Sequence, residues 1–201
     1  MSTGVAPVAA PSTLMSLVWP SRSSLRAAVL MLVGSALLAI SAKIQVPFYP
    51  VPMTMQTLVV LVIGAAYGWR LGGATLALYL AEGALGLPVF AGPVAGVGYM
   101  AGPTGGYLAG FLAAAVLTGV MAERGWDRSL LRVLVMMTVG HAVIFVFGVA
   151  WLAYLFQFDV ARAWAAGVAP FYAATVLKTA LAAALMQVAW TVAARRSEAR
   201  E

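Results

Sequence analysis

The run LLRVLVMMTVGHAVIFVFGVAWLAYLF, residues 130–156, carries one arginine near its start and one histidine at its middle; the rest is apolar, small or hydroxyl-bearing. A bilayer core about 30 Å thick is crossed by roughly 20 consecutive apolar residues in a helix, and this run is longer. A helix apolar on all sides must be buried in protein or in lipid. The composition of the whole chain decides between them. Of its 201 residues 63% are hydrophobic and 9% charged, against about 25% charged in a soluble domain, and the mean hydropathy is +0.97. Too few charges remain to coat a water-exposed surface, so the chain reads as an integral membrane protein.

Outward from this run the pattern repeats. Apolar segments occupy about residues 25–42, 53–67, the stretch after the 68–72 turn to about 87, 106–122 and 168–194. The break at 43–52 carries Pro47, Pro50 and Pro52, and the break at 88–106 is too rich in Gly and Pro for regular helix. The expected fold is therefore all-α, with six transmembrane helices over 25–194. A flexible Pro/Ser/Thr/Ala tail over 1–24 precedes them and a short cytoplasmic tail over 195–201 follows. The first basic residue is Arg22, which does not fit a secretory signal, whose basic residues precede its apolar core.

Charge sets the expected orientation. With the N-terminus inside, nine of the twelve Lys and Arg residues (Arg22, Arg26, Arg70, Arg124, Arg128, Arg132, Arg195, Arg196 and Arg200) fall on the inner side. Lys43 and Arg162 fall outside, and Lys178 lies within the last span. This positive-inside bias puts both termini in the cytoplasm, with the chain multi-pass in the membrane. The formal net charge of +6 is thus a matter of topology and lipid contact, not of nucleic acid.

Other chemistries fall away by inventory. The chain has no cysteine and one histidine, His141, so thiolate catalysis, Cys-based metal sites and multi-His centres are excluded. Neither Lys43 nor Lys178 ends a phosphate-cradling G-x-x-x-x-G-K-[ST] loop, so no ATP is hydrolysed by this route. Three ionisable groups sit inside spans: Glu82, His141 and Lys178. Such groups are expensive in hydrocarbon and mark functional sites by default. Gln56, Tyr99, Thr104 and Tyr107 gather with Glu82 and Lys178 on the outer half, where a pocket open to the outside would be. Each has a plainer alternative: a structural Lys178–Glu82 ion pair, a hydrogen-bonded packing role for His141, a capping role for Gln56, and interfacial rings at Tyr99 and Tyr107.

Small residues recur every four positions at Gly102, Gly106, Gly110, Ala114 and Thr118, a spacing that lets helix backbones approach closely and here suggests internal packing. On the first span Ser24, Ala28, Ser35, Ala39 and Ala42 share a face, where a helical partner could dock.

Three motifs then stand in order: Pro52-Met53-Thr54-Met55-Gln56-Thr57-Leu58, Gly86-Leu87-Pro88-Val89-Phe90-Ala91-Gly92, and Gly102-Pro103-Thr104-Gly105-Gly106-Tyr107-Leu108. Together they resemble the BioY family, the biotin-specific S components of energy-coupling factor (ECF) transporters. The resemblance covers about residues 25–194. It implies a six-helix S-component fold, capture of biotin from outside, no enzymatic activity and no cofactor. It also implies coupling to a transmembrane T component with two ATPase subunits, docked on Ala28, Ser35 and Ala39, and leaves a homo-oligomer open.

The family usually shows P-F-x-P-G-D-x-x-K in the last span. Pro170-Phe171 and Lys178 match, while Ala173, Ala174 and Thr175 replace the Pro, Gly and Asp. A neutral hydroxyl at Thr175 accepts more weakly than a carboxylate. Biotin offers two ureido N–H donors, a carbonyl, an apolar bicycle and a carboxylate tail. Gln56 or Glu82 can accept from the N–H groups, Lys178 or Tyr107 can donate, and Phe90 and Tyr99 can form walls; which end of biotin meets Lys178 is open. Two competing readings are a self-sufficient secondary transporter or channel, which internal repeats of broken helices would mark, and a membrane enzyme built on Glu82, His141 and Lys178.

Overall fold

The structure is a computed structural model that describes residues 13–20 and 23–198. The expected tail up to residue 12, the inner-side Arg22 and the chain end at 199–201 lie outside the described residues. Among the described residues the chain forms nine α-helices and one small two-stranded ribbon: α1 (Leu14–Val18), α2 (Ser24–Lys43), β1 (Gln45–Val46), β2 (Met53–Thr54), α3 (Gln56–Tyr67), α4 (Trp69–Ala84), α5 (Val97–Met100), α6 (Gly105–Glu123), α7 (Leu130–Phe156), α8 (Val160–Gly167) and α9 (Tyr172–Glu198). The six apolar segments appear as α2, α3, α4, α6, α7 and α9. Four stretches, Ser24–Lys43, Gly105–Glu123, Leu130–Phe156 and Val160–Arg195, are long and apolar enough to cross a membrane. The other two, α3 with 12 residues and α4 with 16, are shorter than the roughly 20 that a span needs.

Large apolar side chains also cover much of the outer surface. Leu32, Leu131, Val146, Leu177 and Val188 all point outward, as expected where lipid tails rather than water are the solvent. The buried centre holds Leu38, Leu61, Leu76, Met136, Ile144 and Met186. The four-residue small stripe faces α7 and α3. A Cβ added at Gly106 would run into the Trp151 side chain, and one at Gly110 would stand 3.0 Å from the Ile144 Cα. Lacking side chains there, α6 packs backbone to backbone.

The turn between α3 and α4 is a single glycine, Gly68, at φ +82°, a conformation that glycine adopts without a Cβ penalty. Between α6 and α7 a 3-10 turn, Trp126–Arg128, buries Asp127. Its carboxylate accepts from the Trp190 indole N–H at 2.9 Å, and the Arg128 guanidinium lies over the same indole ring, 5.2 Å from its centroid. Burial pushes the Asp127 carboxyl above its usual range, and the Trp190 hydrogen bond opposes that shift in part.

Two regions differ from the expectation. Residues 14–18, expected in the tail, are helical because Thr13 and Ser16 form a reciprocal capping box, and because Leu14 buries itself against Ala66 and Ala193. The 43–52 break is not simply a loop. The prolines end α2, but the strands on either side pair antiparallel, Gln45 opposite Thr54 and Val46 opposite Met53. This ribbon delivers the first motif to the site.

Candidate functional site

At the ribbon end of the fold the chain borders a partly open cavity with about 580 Å³ of empty space. Its polar lining comes from the ribbon, four helices and one turn. The ribbon and α3 bring Thr54, Gln56 and Thr57; α5 and the turn before α6 bring Tyr99 and Thr104; α6 brings Tyr107; and α9 brings Thr175 and Lys178. Apolar walls come from Phe111, Ile144, Phe145 and Phe171. Among the described residues no carboxylate lines it, and Lys178 is its one charged group.

Lys178 is 7% exposed and donates from Nζ to the Thr54 carbonyl at 2.6 Å. It lies six residues into α9, about 9 Å along the axis at 1.5 Å per residue. Thr175 precedes it by three residues, so both project from one helix face. From Thr54 the polar contacts continue. The Thr54 hydroxyl lies 3.3 Å from Gln56 Oε1, Gln56 Nε2 donates to the Tyr79 hydroxyl at 2.6 Å, and that hydroxyl donates to the Val89 carbonyl at 2.9 Å. A chain of hydrogen bonds thus runs from α9 through the ribbon and α3 to α4 and the loop that follows it.

Of the residues singled out in the sequence, Lys178, Gln56, Tyr107, Thr104, Tyr99 and Thr175 meet around this cavity. Tyr107 is engaged already, donating to the Gly167 carbonyl at 2.8 Å. Phe90 stands behind the wall, stacked on Tyr99 with ring centroids 5.0 Å apart and meeting Tyr79 edge to face. A Cβ at Gly83 would enter the Phe90 ring, so a glycine on α4 makes room for it. Glu82 does not line the cavity. It lies on the side of α4 that meets α2, where it accepts the Ser35 hydroxyl, and the ion-pair alternative with Lys178 is replaced by these two separate bonds. Ser35, expected on the docking face, is therefore 2% exposed and internal. Ala28 is exposed, and Ala39 is half-buried against the core.

The sequence reading missed Thr54 and Thr57. Thr57 presents a buried hydroxyl with no hydrogen-bond partner; its place in the 52–58 motif, one residue past Gln56, was the available signal. Lys43 was read only as an outer charge, yet its Nζ donates to the carbonyls of Phe90 at 2.7 Å and Gly92 at 2.8 Å, joining the two outer breaks.

His141 lies elsewhere. Its Nδ1 is 3.0 Å from the Met137 carbonyl and 3.2 Å from the Thr179 hydroxyl, which matches the packing reading. It borders a groove between α7, α8 and α9 that is almost wholly apolar. Lipid tails suit such a groove, and it lacks the convergent donors and acceptors of a solute site.

Comparison with known proteins follows the same lines. Residues 13–195 match the family model described as the BioY family. The chain is 37% identical over 147 residues to the "Probable biotin transporter BioY" of Pyrococcus horikoshii, covering 73% of this chain and 85% of that protein. It is 35% identical over 149 residues to the "Biotin transporter BioY" of Thermotoga maritima, covering 74% and 86%. In three dimensions it resembles the solved S-component for biotin from an ECF-type ABC transporter, with a TM-score of 0.73 at 19% identity over 83% of this chain and 93% of that one. At that identity the likeness speaks for the fold.

Proposed function

The chain belongs to the BioY family, and from that premise we propose that it captures biotin from outside the cell in the cavity between the ribbon, α3, α6 and α9. The protein is a multi-pass membrane protein with an S-component fold, and a transport subunit, not an enzyme. The observation that carries the ligand reading is the lining itself: one ammonium, a carboxamide and six hydroxyl-bearing side chains facing aromatic and aliphatic walls. Biotin needs acceptors for two N–H groups, donors for a carbonyl and a carboxylate, and apolar cover for its bicycle. Lys178 supplies a charged donor to an oxygen of the ligand, while Gln56, Thr57, Thr104 and Thr175 supply neutral hydrogen bonds, with Tyr99 backed by Phe90 as the flat wall.

The outer breaks at 43–52 and 88–106 form the gate through which biotin enters, since Val51 of one and Ala91 of the other line the cavity and irregular backbone at membrane depth is tolerated there. The sequence carries no phosphate-cradling G-x-x-x-x-G-K-[ST] loop. We assign the energy to a T component with ATPase subunits that docks on the lipid-facing side of α2, where Leu25, Ala28, Val29 and Leu32 are exposed.

Calorimetry on the detergent-purified chain tests the ligand. Tight 1:1 binding of biotin without ATP is the expected result. A flat titration from folded protein that binds another vitamin overturns the reading.

A further inference from the structure

Tyr79 is wholly buried on α4 and forms no part of the cavity lining, yet its hydroxyl is the hinge of the hydrogen-bond chain beside it. A phenolic hydroxyl has one hydrogen to give. Here that hydrogen goes to the Val89 carbonyl at 2.9 Å, which can only accept. The contact between Tyr79 and Gln56, 2.6 Å long, must then run the other way, with the amide N–H₂ of Gln56 donating to the phenolic oxygen. The amide is thereby held in one of its two orientations. Its oxygen points away from Tyr79, toward Thr54 and the cavity, where the Thr54 hydroxyl at 3.3 Å uses at most one of its lone pairs.

We infer that Tyr79 is a positioning residue that fixes Gln56 as a hydrogen-bond acceptor toward the ligand, so that the cavity selects for an N–H donor. The reason this matters is the absence of any carboxylate from the lining. A carboxylate accepts in either orientation, but a carboxamide accepts only when turned the right way. In a cavity whose charged group is a cation, the turned amide is the fixed acceptor, while the hydroxyls of Thr57, Thr104 and Thr175 can rotate to give or to accept. The ring of Tyr79 is itself held against Phe90, edge to face at 5.5 Å, and Phe90 is stacked on Tyr99 of the cavity wall. The acceptor and the flat wall are therefore set by one buried side chain. This inference rests on the biotin reading and deepens it.

The test compares biotin with its cyclic carbonate analogue, in which ring oxygens replace the ureido N–H groups, by calorimetry on the purified full chain. Wild-type protein should prefer biotin. Tyr79→Phe keeps the packing and removes the hydroxyl, so the amide is free to turn; biotin affinity should fall about three- to tenfold, the span of one neutral hydrogen bond, with little change for the carbonate. Adding Gln56→Glu to Tyr79→Phe should restore the preference, because either carboxylate oxygen accepts. A wild-type preference kept in Tyr79→Phe, or an equal loss for both ligands, overturns the inference, the second outcome marking a merely structural role. Should Tyr79→Phe not fold, single variants at Gln56 carry the test: Gln56→Glu should keep the preference and Gln56→Leu lose it, and a preference kept in Gln56→Leu overturns the inference. Wild-type protein that binds neither ligand fails the biotin reading itself, and this inference with it.

Discussion

Lys178 Nζ donates to the backbone carbonyl of Thr54 at 2.6 Å, so the one cation of the cavity ties the last helix to the ribbon that forms the opposite wall. The bond uses one of the three donors of an ammonium that hydrocarbon would otherwise strand, and it keeps the charge at the cavity surface. An anionic or carbonyl oxygen of a ligand then meets a donor that is already oriented. Lys178→Met is expected to remove a charge-assisted hydrogen bond, about 1.5–3 kcal/mol, and to weaken biotin binding about ten- to a hundredfold. Calorimetry together with a thermal melt checks this. Unchanged affinity in a stable variant would take Lys178 out of the site.

Thr175 offers the complementary experiment. It stands at the aspartate position of the P-F-x-P-G-D-x-x-K pattern, lines the cavity and shares a helix face with Lys178. Thr175→Asp should give a charged acceptor for a ureido N–H, and charge-assisted bonds exceed neutral ones by about 1 kcal/mol. Biotin affinity is expected to rise roughly fivefold or more at pH 7. A fall in affinity would locate the ureido group away from this face of α9.

How far the sequence goes can be judged from Glu82 and Ser35. Composition alone locates α7 residue for residue with the 130–156 run, and the 52–58 motif points to Gln56, because both signals are local. The partner of Glu82 is not local. Its neighbour is set by how α4 turns against α2, and the apolar residues around it are too uniform to give either helix a distinct polar side. Ser35 therefore reads as part of a small docking face when its hydroxyl serves a carboxylate inside the bundle. Short elements escape for another reason. The five residues of α1 and the eight of α8 are far below the length of a span, and capping by Thr13 and Asp159 makes them helices.

Lys43 fastens one outer break to the other through the carbonyls of Phe90 and Gly92. Lys43 does not line the cavity, and Lys43→Met should loosen the 88–92 segment, whose Ala91 does. Faster hydrogen exchange over that segment and a several-fold faster release of biotin are expected. Wild-type exchange should slow over 43–52 and 88–106 when biotin is added. Equal exchange with and without ligand would end the gating role of these loops.

Asp127 yields a pH prediction. Burial raises its folded carboxyl pKa above the ordinary 3.8, so over the interval between those two values the folded chain holds more of this proton than the unfolded chain. Stability then falls as pH rises through that interval. Asp127→Asn keeps an acceptor for the Trp190 N–H and removes the buried charge. Its melting temperature at pH 7 is expected to equal or exceed that of the wild type, with a flatter dependence between pH 4 and 7, while Asp127→Ala should melt lower at every pH. A marked loss in Asp127→Asn at pH 7 would show that the charge itself is needed, through the Arg128 and Trp190 cluster.

Docking on α2 separates residues that the sequence grouped together. Ala28 is exposed on that helix and Ser35 is buried. Association between helices in lipid depends on close packing more than on expulsion of water, so bulk added on the outer face should act on assembly alone. Ala28→Trp is expected to reduce ATP-driven biotin uptake severalfold in proteoliposomes containing a T component and ATPases, and to leave biotin affinity of the isolated chain unchanged. Ser35→Trp, by contrast, should collide with the α4 side of the bundle, break the contact with Glu82 and lower the melting temperature by several degrees, with affinity falling as a consequence. If Ala28→Trp supports normal uptake while its affinity is intact, the partner binds another face, and the exposed leucines and valines of α2 meet lipid only.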